Sequence, residues 1–304
     1  MNVSVRFLFM AAIALSGASL AIAQQPASAD SMPVPKVITI TREYVKPGRT
    51  GEHAKVESAF ARAFAQANVQ YRYLAMASIT GPDEAWFISG YDSFADMEKA
   101  DTSIMGNAAL MSQFDRMAPA DGDLLSGSDR IIASYRQDLS YHSEGSDSLA
   151  QMRYFDVDIA HVRPGHMKEY EEIIKLFKAA SDKANTGDHF EAFEVQSGAP
   201  EGTILFFSGR KSLAIFDQFQ ETYGKKFDDA LGESGQKKMR ELQAASVERE
   251  EDRLFAFSPR MSYVPDSWIK ADPSFWQPKP MAANPAGGMR ARKKKDATAA
   301  PPAQ

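Results

Sequence analysis

The residues of this chain that could bind a ligand or move a proton lie at strand-like positions in two matching parts of the sequence. Alternate side chains of a β-strand share one face of the sheet, so polar residues spaced by two can converge on one site. Carboxylate, imidazole, guanidinium and hydroxyl groups stand at such positions. The candidate site residues are Thr41, Glu43, Arg72, Asp156, Asp158, His189 and Glu191.

These side chains could serve a bound molecule or could neutralise one another. A buried charge without a partner is costly or shifts its pKa, so polar groups in a covered space either pair or bind a ligand. An enzyme would take its base from this set, with a pKa tuned by desolvation, and would hold an anion with Arg72. The available bases are Asp156, Asp158, His189 and Glu191. In a structural role, Arg72 would instead pair with Asp158.

A metal centre is not predicted among these residues. Asp156, Asp158, His189 and Glu191 are acceptable ligand types for a divalent ion. However, the strand that carries the two aspartates and the strand that carries the other pair should be separated by a third strand. At the usual strand spacing this separation is about 10 Å, which is too far for one ion.

The other histidines and the nucleophile motifs indicate no further chemistry. His53 lies on an apolar helical stripe and should pack there, whereas His161 and His166 should be exposed turn residues. The chain has no cysteine, which excludes disulfides and thiolate metal sites. It also lacks a Gly-x-Ser-x-Gly elbow and a glycine-rich phosphate loop, so hydrolase and nucleotide-binding functions are not supported.

The elements that position the candidate residues occur twice in the chain. The segment 37–48 ends in Val45-Lys-Pro-Gly48, and the matching segment 154–165 ends in Val162-Arg-Pro-Gly165. The same register carries Phe60 onto Phe177. Internal repetition of this length indicates two copies of one structural unit.

Each unit is predicted to have the order β-α-β-β-α-β, from period-two runs in the strands and apolar spacing of three and four in the helices. This order is the ferredoxin-like unit. The fold class is therefore α+β, with two tandem ferredoxin-like repeats packed sheet to sheet as an intramolecular α+β barrel. The predicted bounds are 37–44, 70–78, 85–91 and 134–142 for strands of the first unit, 257–264 for the last strand of the second, and 107–117 and 235–253 for extra helices.

Alternation within the first strand of each unit separates two faces. Ile38 and Ile40 form an apolar set that should meet the helices, and Phe155, Val157 and Ile159 do the same in the second unit. The polar set should then point between the sheets, because a ferredoxin-like sheet needs a cover on its helix-free face. We therefore expect the candidate site residues to lie in a pocket between the repeats.

The strand, the Val-Lys/Arg-Pro-Gly turn, the amphipathic helix and the paired strands resemble the dimeric α+β barrel superfamily. The opening of each copy is most similar to NIPSNAP-type domains and to antibiotic-biosynthesis monooxygenase domains. The resemblance covers 37–143 and 154–265 and implies a fold rather than a reaction. Superfamily members that bind haem do so through a histidine in this pocket region. No motif here assigns that role to a residue, so the cofactor is left unknown.

The ends of the chain differ from the repeats in composition. Residues 1–23 combine Arg6, an apolar stretch and a small-x-small exit, which is typical of a secretory signal peptide. Residues 24–36 form a Pro/Ser/Ala linker. Residues 277–304 form a basic tail that should be disordered or should tether the protein to an anionic surface. We expect no membrane span after signal cleavage and a periplasmic or secreted location.

Composition and charge limit the class of partner. The 304 residues are 44% hydrophobic and 11% aromatic, which is enough for two buried cores. The net charge of −5 argues against general nucleic-acid binding. Because the second repeat supplies the partner sheet, we expect a monomer with an intramolecular pseudo-dimer.

The expected function is a small-molecule-binding or interaction protein with a pocket between the two repeats. The alternative is a cofactor-independent monooxygenase-like enzyme, or another small-molecule-processing enzyme. Resemblance of fold does not choose between them, because one fold hosts many reactions. The sequence leaves open whether the protein is an enzyme and which molecule it binds.

Overall fold

The alternating segments of both halves form strands that join into one closed barrel. The computed structural model describes residues 34–143, 149–218 and 223–277. The strands are β1 (Val37–Val45), β2 (Leu74–Ser78), β3 (Glu84–Tyr91), β4 (Leu125–Tyr135), β5 (Tyr154–Val162), β6 (Glu191–Ser197), β7 (Thr203–Arg210) and β8 (Val247–Phe257). Around the barrel they follow the order β1-β3-β2-β8-β5-β7-β6-β4, and each recorded pair is antiparallel.

Strands β1–β4 form the first half of the barrel and β5–β8 the second, and the halves are hydrogen-bonded to each other at both edges. β2 pairs with β8, with Met76 opposite Phe257, and β4 pairs with β6, with Ser134 opposite Glu194. The predicted α+β barrel is confirmed. The two sheets meet edge to edge as well as face to face, so they enclose a common interior.

The helices of the described ranges pack around the outside of the barrel and at one of its ends. They are α1 (Thr50–Gln66), α2 (Phe94–Met105), α3 (Ala108–Gly122), α4 (Met167–Ala184), α5 (Ala214–Gln218), α6 (Gly224–Ser246), α7 (Asp266–Ala271) and α8 (Pro273–Trp276). α1 packs against α3 over the first half, and α4 packs against α6 over the second. None of the helices in these ranges is long and apolar enough to cross a membrane.

The barrel interior contains the apolar set that the sequence analysis assigned to the helices. Ile38 and Ile40 from β1, and Phe155, Val157 and Ile159 from β5, belong to one buried cluster to which all eight strands contribute. The predicted facing is therefore wrong. Closing a small barrel brings the inward side chains of every strand together, and large apolar residues fill that space. The polar set consequently faces the helices.

The last strand of each half begins earlier than predicted. β4 ends at Tyr135 instead of spanning 134–142, and β8 starts at Val247, where helix was expected to continue to 253. Charged residues hid the second strand, because Arg249, Glu251 and Arg253 alternate along β8 and face a small cavity at one end of the barrel. A run of charges with this composition resembles an exposed helix when it is considered without its partners.

Several predicted segments lie outside the described residues. They are the signal peptide at 1–23, the linker as far as residue 33 and the basic tail from 278 onward. Between β8 and that tail, α7 and α8 fold back onto the barrel. Trp276 joins the interior cluster, and its indole nitrogen donates to the carbonyl oxygen of Ala150 at 2.7 Å.

Candidate ligand-binding pocket

A cavity of about 860 Å³ opens at one end of the barrel, and both halves line it. We call it the end pocket. Its size falls within the range of sites that bind drug-sized or cofactor-sized molecules. The pocket forms where the layers of inward side chains stop and the barrel wall continues. Its apolar floor consists of Ile38, Leu74, Ile88, Phe155, Phe193 and Phe207.

The floor is rigid because its aromatic rings pack on one another across neighbouring strands. Phe207 lies between Phe155 and Phe193, with ring centroids 5.3 and 5.9 Å away in edge-to-face arrangements. Leu74 and Phe193 are buried on the inward faces of β2 and β6. An apolar molecule that enters the pocket would therefore meet a preformed surface and would not need to order it.

The rim of the pocket is aromatic and polar. The Tyr71 hydroxyl donates to Asp96 Oδ1 at 3.4 Å, and the hydroxyls of Tyr135 and Ser143 are 2.9 Å apart. Tyr91 lies beside Tyr71 with ring centroids 6.2 Å apart. These contacts hold flat rings at the entrance while leaving polar groups close to an apolar space.

The charged residues of the rim are predominantly acidic. Arg72 is the one cation among the described lining residues, against four carboxylates. Its guanidinium donates to the Val69 carbonyl and lies 4.2 Å from the centre of the Tyr263 ring, so protein contacts already occupy it. The lining carboxylates are Asp92, Asp96, Glu191 and Asp266.

One side of the rim depends on the C-terminal helices. Trp268 of α7 lines the pocket, and its ring packs against Trp276 with centroids 5.2 Å apart. An ion pair between Arg153 and Asp272 joins α8 to the segment before β5. The rim therefore depends on an element that follows the last strand of the barrel.

The end pocket includes two of the seven predicted site residues, Arg72 and Glu191. Arg72 precedes β2, and Glu191 begins β6, so the two halves supply one each. His189 lies two residues before β6 and does not line the pocket, and its carbonyl oxygen accepts a hydrogen bond from Ser208 Oγ at 3.3 Å.

The other four predicted site residues, Thr41, Glu43, Asp156 and Asp158, lie on the outer face of the barrel. None of them lines the end pocket, because inward and outward positions alternate and the apolar neighbours of these residues point inward. The ion pair between Arg72 and Asp158 that the sequence suggested does not form, because Arg72 lines the end pocket and Asp158 lies on the outer face. The expectation that the polar set shares one pocket is corrected accordingly.

Asp156 and Asp158 form an acidic group with the exposed Asp252 beside the buried Arg210, whose Nη2 is 3.9 Å from Asp156 Oδ2. Burial raises the pKa of Asp156 to about 7, Arg210 opposes the rise and Asp252 adds to it. Burial also raises the pKa of Asp158 and lowers that of Arg210 to about 10. A proton on these carboxyls lowers the free-energy cost of burying several acids beside one arginine.

The opposite end of the barrel is filled by ion pairs around a cavity of about 280 Å³. Arg42 Nε lies 2.6 Å from Asp129 Oδ1, and Arg253 Nη1 lies 3.2 Å from Glu84 Oε1. The Trp86 indole nitrogen donates to Glu84 Oε2 at 3.0 Å. These groups satisfy one another, which favours a structural role for this end.

His161 belongs to that charged end and is not an exposed turn residue as predicted. Its Nδ1 is 3.1 Å from the Thr203 hydroxyl, and its Nε2 is 3.1 Å from Arg249 Nη2. Burial, followed by the charge of Arg249, lowers the pKa of His161. His161 lies two residues after the inward-facing Ile159, so alternation along β5 directs its side chain into this end of the barrel.

The residues that the sequence analysis missed are the aromatic rim. Tyr71 and Tyr91 belong to predicted strand segments, but their convergence depends on the closure of the barrel. Trp268 lies beyond the last predicted strand, where the density of aromatics at 268–276 was the available signal. Among the described lining residues there is no histidine, so the end pocket supplies no imidazole ligand for a haem iron.

Comparison with known proteins gives resemblances in structure alone. No protein-family model matches the chain, and no curated protein matches it. An anthrone oxidase-like protein is 12% identical, with a TM-score of 0.49 and coverage of 73% of this chain and 92% of that one. A chlorite dismutase from Candidatus Nitrospira defluvii is 11% identical, with a TM-score of 0.41 and coverage of 78% and 95%. At these values the resemblances assign no reaction, and the description of the barrel depends on the strand pairing of this chain.

Proposed function

We propose that this protein binds a small, largely apolar molecule in the end pocket. The observation that carries the proposal is a cavity of about 860 Å³ with a continuous apolar floor and a polar, aromatic rim. Small-molecule sites usually combine a hydrophobic lining with a few polar groups that set the orientation of the ligand. The charged network at the other end of the barrel offers no comparable apolar surface.

The rim favours a ligand that donates hydrogen bonds. Asp92, Asp96, Glu191 and Asp266 accept hydrogen bonds when ionised and would disfavour an anionic group. Arg72 would be the exception, but its guanidinium already contacts the Val69 carbonyl and the Tyr263 ring. We therefore expect a flat or aliphatic molecule that is neutral or cationic and that carries hydroxyl or amine groups.

The enzyme alternative has less support than binding. A general base must reach the proton that it removes. Asp156 and Asp158 lie on the outer face of the barrel, so of the proposed bases Glu191 is the one that shares the end pocket with Arg72. Among the bases that the sequence suggested, a cofactor-independent oxygenation or another small-molecule reaction could use only Glu191.

A cavity-filling substitution tests the proposal. We expect purified full-length protein to bind the neutral apolar dye Nile red, and we expect Ile88→Trp, which fills the floor, to weaken binding at least about tenfold. The matched control is Ile79→Trp, because Ile79 is 48% exposed and lies outside the pocket. Dye fluorescence titrations measure the affinities, and circular dichroism checks the fold of each variant.

Two results would contradict the proposal. One is a wild-type protein that binds no dye and carries no co-purified molecule in native mass spectrometry. The other is an Ile88→Trp variant that folds and binds the dye as tightly as the wild type and the Ile79→Trp control.

We also propose that the chain is exported and acts as a monomer of two tandem ferredoxin-like repeats. The signal-like composition of residues 1–23 supports export. The repeated order of elements and the equal share of four strands from each half support duplication. Because the described strands close on themselves, they leave no free edge for a partner sheet, and this supports a monomer.

A further inference from the structure

A second cluster of polar side chains lies between the barrel and the helices of the first half. Glu43 on β1, His53 and Glu57 on α1, and Asp121 in the last turn of α3 each offer one ligand atom, and these atoms lie within 4.8 Å of one another. His53, Glu57 and Asp121 are 2%, 6% and 9% exposed. None of the four lines the end pocket.

The hydrogen bonds inside this cluster leave one carboxylate oxygen without a partner. His53 Nε2 lies 2.8 Å from Glu43 Oε2 and 3.7 Å from Asp121 Oδ1. Asp121 Oδ1 is buried and has no hydrogen-bond partner, although it points at the imidazole. An unpartnered buried oxygen is costly, which indicates that the cluster is incomplete without a further group.

The charges of the cluster are also unbalanced. In the described ranges no lysine or arginine pairs with any of its three carboxylates, and His53 is the one basic group in contact. A bound cation would supply the positive charge that the protein lacks at this place.

The second half of the barrel shows that the fold does not require polar residues here. The duplicated register places Ala160 opposite Glu43, Tyr170 opposite His53 and Ile174 opposite Glu57. These three counterparts are buried in an ordinary apolar cluster between the sheet and α4. The first half therefore has ionisable groups at positions where the second half builds the same fold with apolar packing.

We propose that Glu43, His53, Glu57 and Asp121 bind one divalent transition-metal ion. One imidazole nitrogen and three carboxylate oxygens suit Zn²⁺, Mn²⁺ or Fe²⁺. Ligand atoms about 2.1 Å from such an ion are about 3.4 Å apart in a tetrahedral arrangement. The present spacing would need adjustments of about 1 Å. The ion would join β1, α1 and α3, so its role would be to fasten these helices to the barrel.

Metal binding by the full-length protein tests this proposal. After chelator treatment, we expect the protein to take up about one Mn²⁺ or Zn²⁺ ion per chain and to melt at a higher temperature with the ion bound. Glu57→Gln and Asp121→Asn should each weaken binding at least about tenfold and abolish the rise in melting temperature. The matched control is Glu250→Gln, which removes a carboxylate of β8 outside the cluster and should bind like the wild type.

Calorimetric titration with each metal alone and elemental analysis after desalting give the affinity and the stoichiometry. Glu57→Gln is nearly isosteric and removes a buried acid, so it should fold even if Asp121→Asn does not. The proposal is overturned if the chelator-treated wild type binds neither metal at millimolar concentration. It is also overturned if folded Glu57→Gln binds as tightly as Glu250→Gln, because the four residues would then form only a hydrogen-bonded contact between helix and sheet.

Discussion

At the scale of single residues, the partners of each charged group decide how it contributes to the stability of the fold. Glu84 has the indole nitrogen of Trp86 and Arg253 as partners, and Arg42 has Asp129. The charges at the barrel end opposite the end pocket are therefore satisfied. The acidic layer around Asp156 is different, because several carboxyls there share one buried arginine. The first group stabilises the fold through its pairs, whereas the second group stabilises it only while protons remain bound.

The Asp156 group predicts a loss of stability with rising pH. Burial raises its folded pKa to about 7, above the ordinary aspartate value. The folded state therefore binds more protons, and the stability present below about pH 4 is lost as the pH rises toward 7. The charged groups that face Asp156 are Arg210 on β7, Asp252 on β8 and Asp158 on its own strand. Asp156→Asn should reduce the loss in unfolding free energy between pH 5 and pH 8.

Urea unfolding at the two pH values measures this effect. The control is Asp115→Asn, which changes an exposed aspartate on α3 and should keep the wild-type dependence. If Asp156→Asn and Asp115→Asn lose equal stability between the two pH values, Asp156 does not carry the dependence.

At the scale of elements, the helices after the last strand determine the shape of the end pocket. α7 and α8 are short, and neither would be stable alone. They are fixed by Trp276, which is 2% exposed, donates to the Ala150 carbonyl and packs against Phe257 and Trp268. The rim residue Trp268 thus keeps its place through a neighbour that is buried in the barrel.

Trp276→Ala should release this element. Removing a buried tryptophan typically costs about 3–5 kcal/mol of unfolding free energy, and the Ala150 carbonyl would also lose its donor. We expect α7 and α8 to exchange amide hydrogens faster while the barrel strands remain protected, and we expect weaker dye binding in the end pocket. Hydrogen-exchange mass spectrometry of residues 266–277 measures the first effect.

The control for this substitution is Met105→Ala, since Met105 is 68% exposed at the end of α2. Unchanged exchange over 266–277 in folded Trp276→Ala would show that other contacts hold the C-terminal helices in place.

At the scale of the whole molecule, closure of the barrel makes the two halves one cooperative unit. Trp86 of β3 packs on Phe255 of β8 with ring centroids 4.6 Å apart, and this contact crosses from one half to the other. β2–β8 and β4–β6 pairing adds backbone hydrogen bonds at both junctions. Neither half can bury its inward face without the other.

Unfolding should therefore occur in one transition. We expect urea curves from tryptophan fluorescence and from circular dichroism to coincide. Phe255→Ala should lower the unfolding free energy by about 3–5 kcal/mol and shift both curves by the same amount, because the lost contact belongs to both halves. Two separated transitions, or a shift in one probe alone, would mean that the halves unfold independently.

Much of the local structure of this protein follows from patterns in its sequence. Alternation located the first strands of both halves, the spacing of apolar residues located α1 and α4, and the Pro-Gly turns were correct, with Gly48 and Gly165 at φ of 76° and 83°. Its repetition also indicated the barrel. These features depend on neighbours within a few residues, which a single chain records directly.

Which face of each strand points inward, and which residues meet, depends on contacts that form when the barrel closes. Alternation separates two faces but does not say which one the barrel encloses, and β2–β8 and β4–β6 pairing made that choice. The same closure placed Arg72 and Glu191 at the end pocket and left Asp156 and Asp158 under the helices. Folding α1 and α3 onto β1 brought Glu43, His53, Glu57 and Asp121 together. Such convergence comes from contacts between residues far apart in the chain, so no local pattern encodes it.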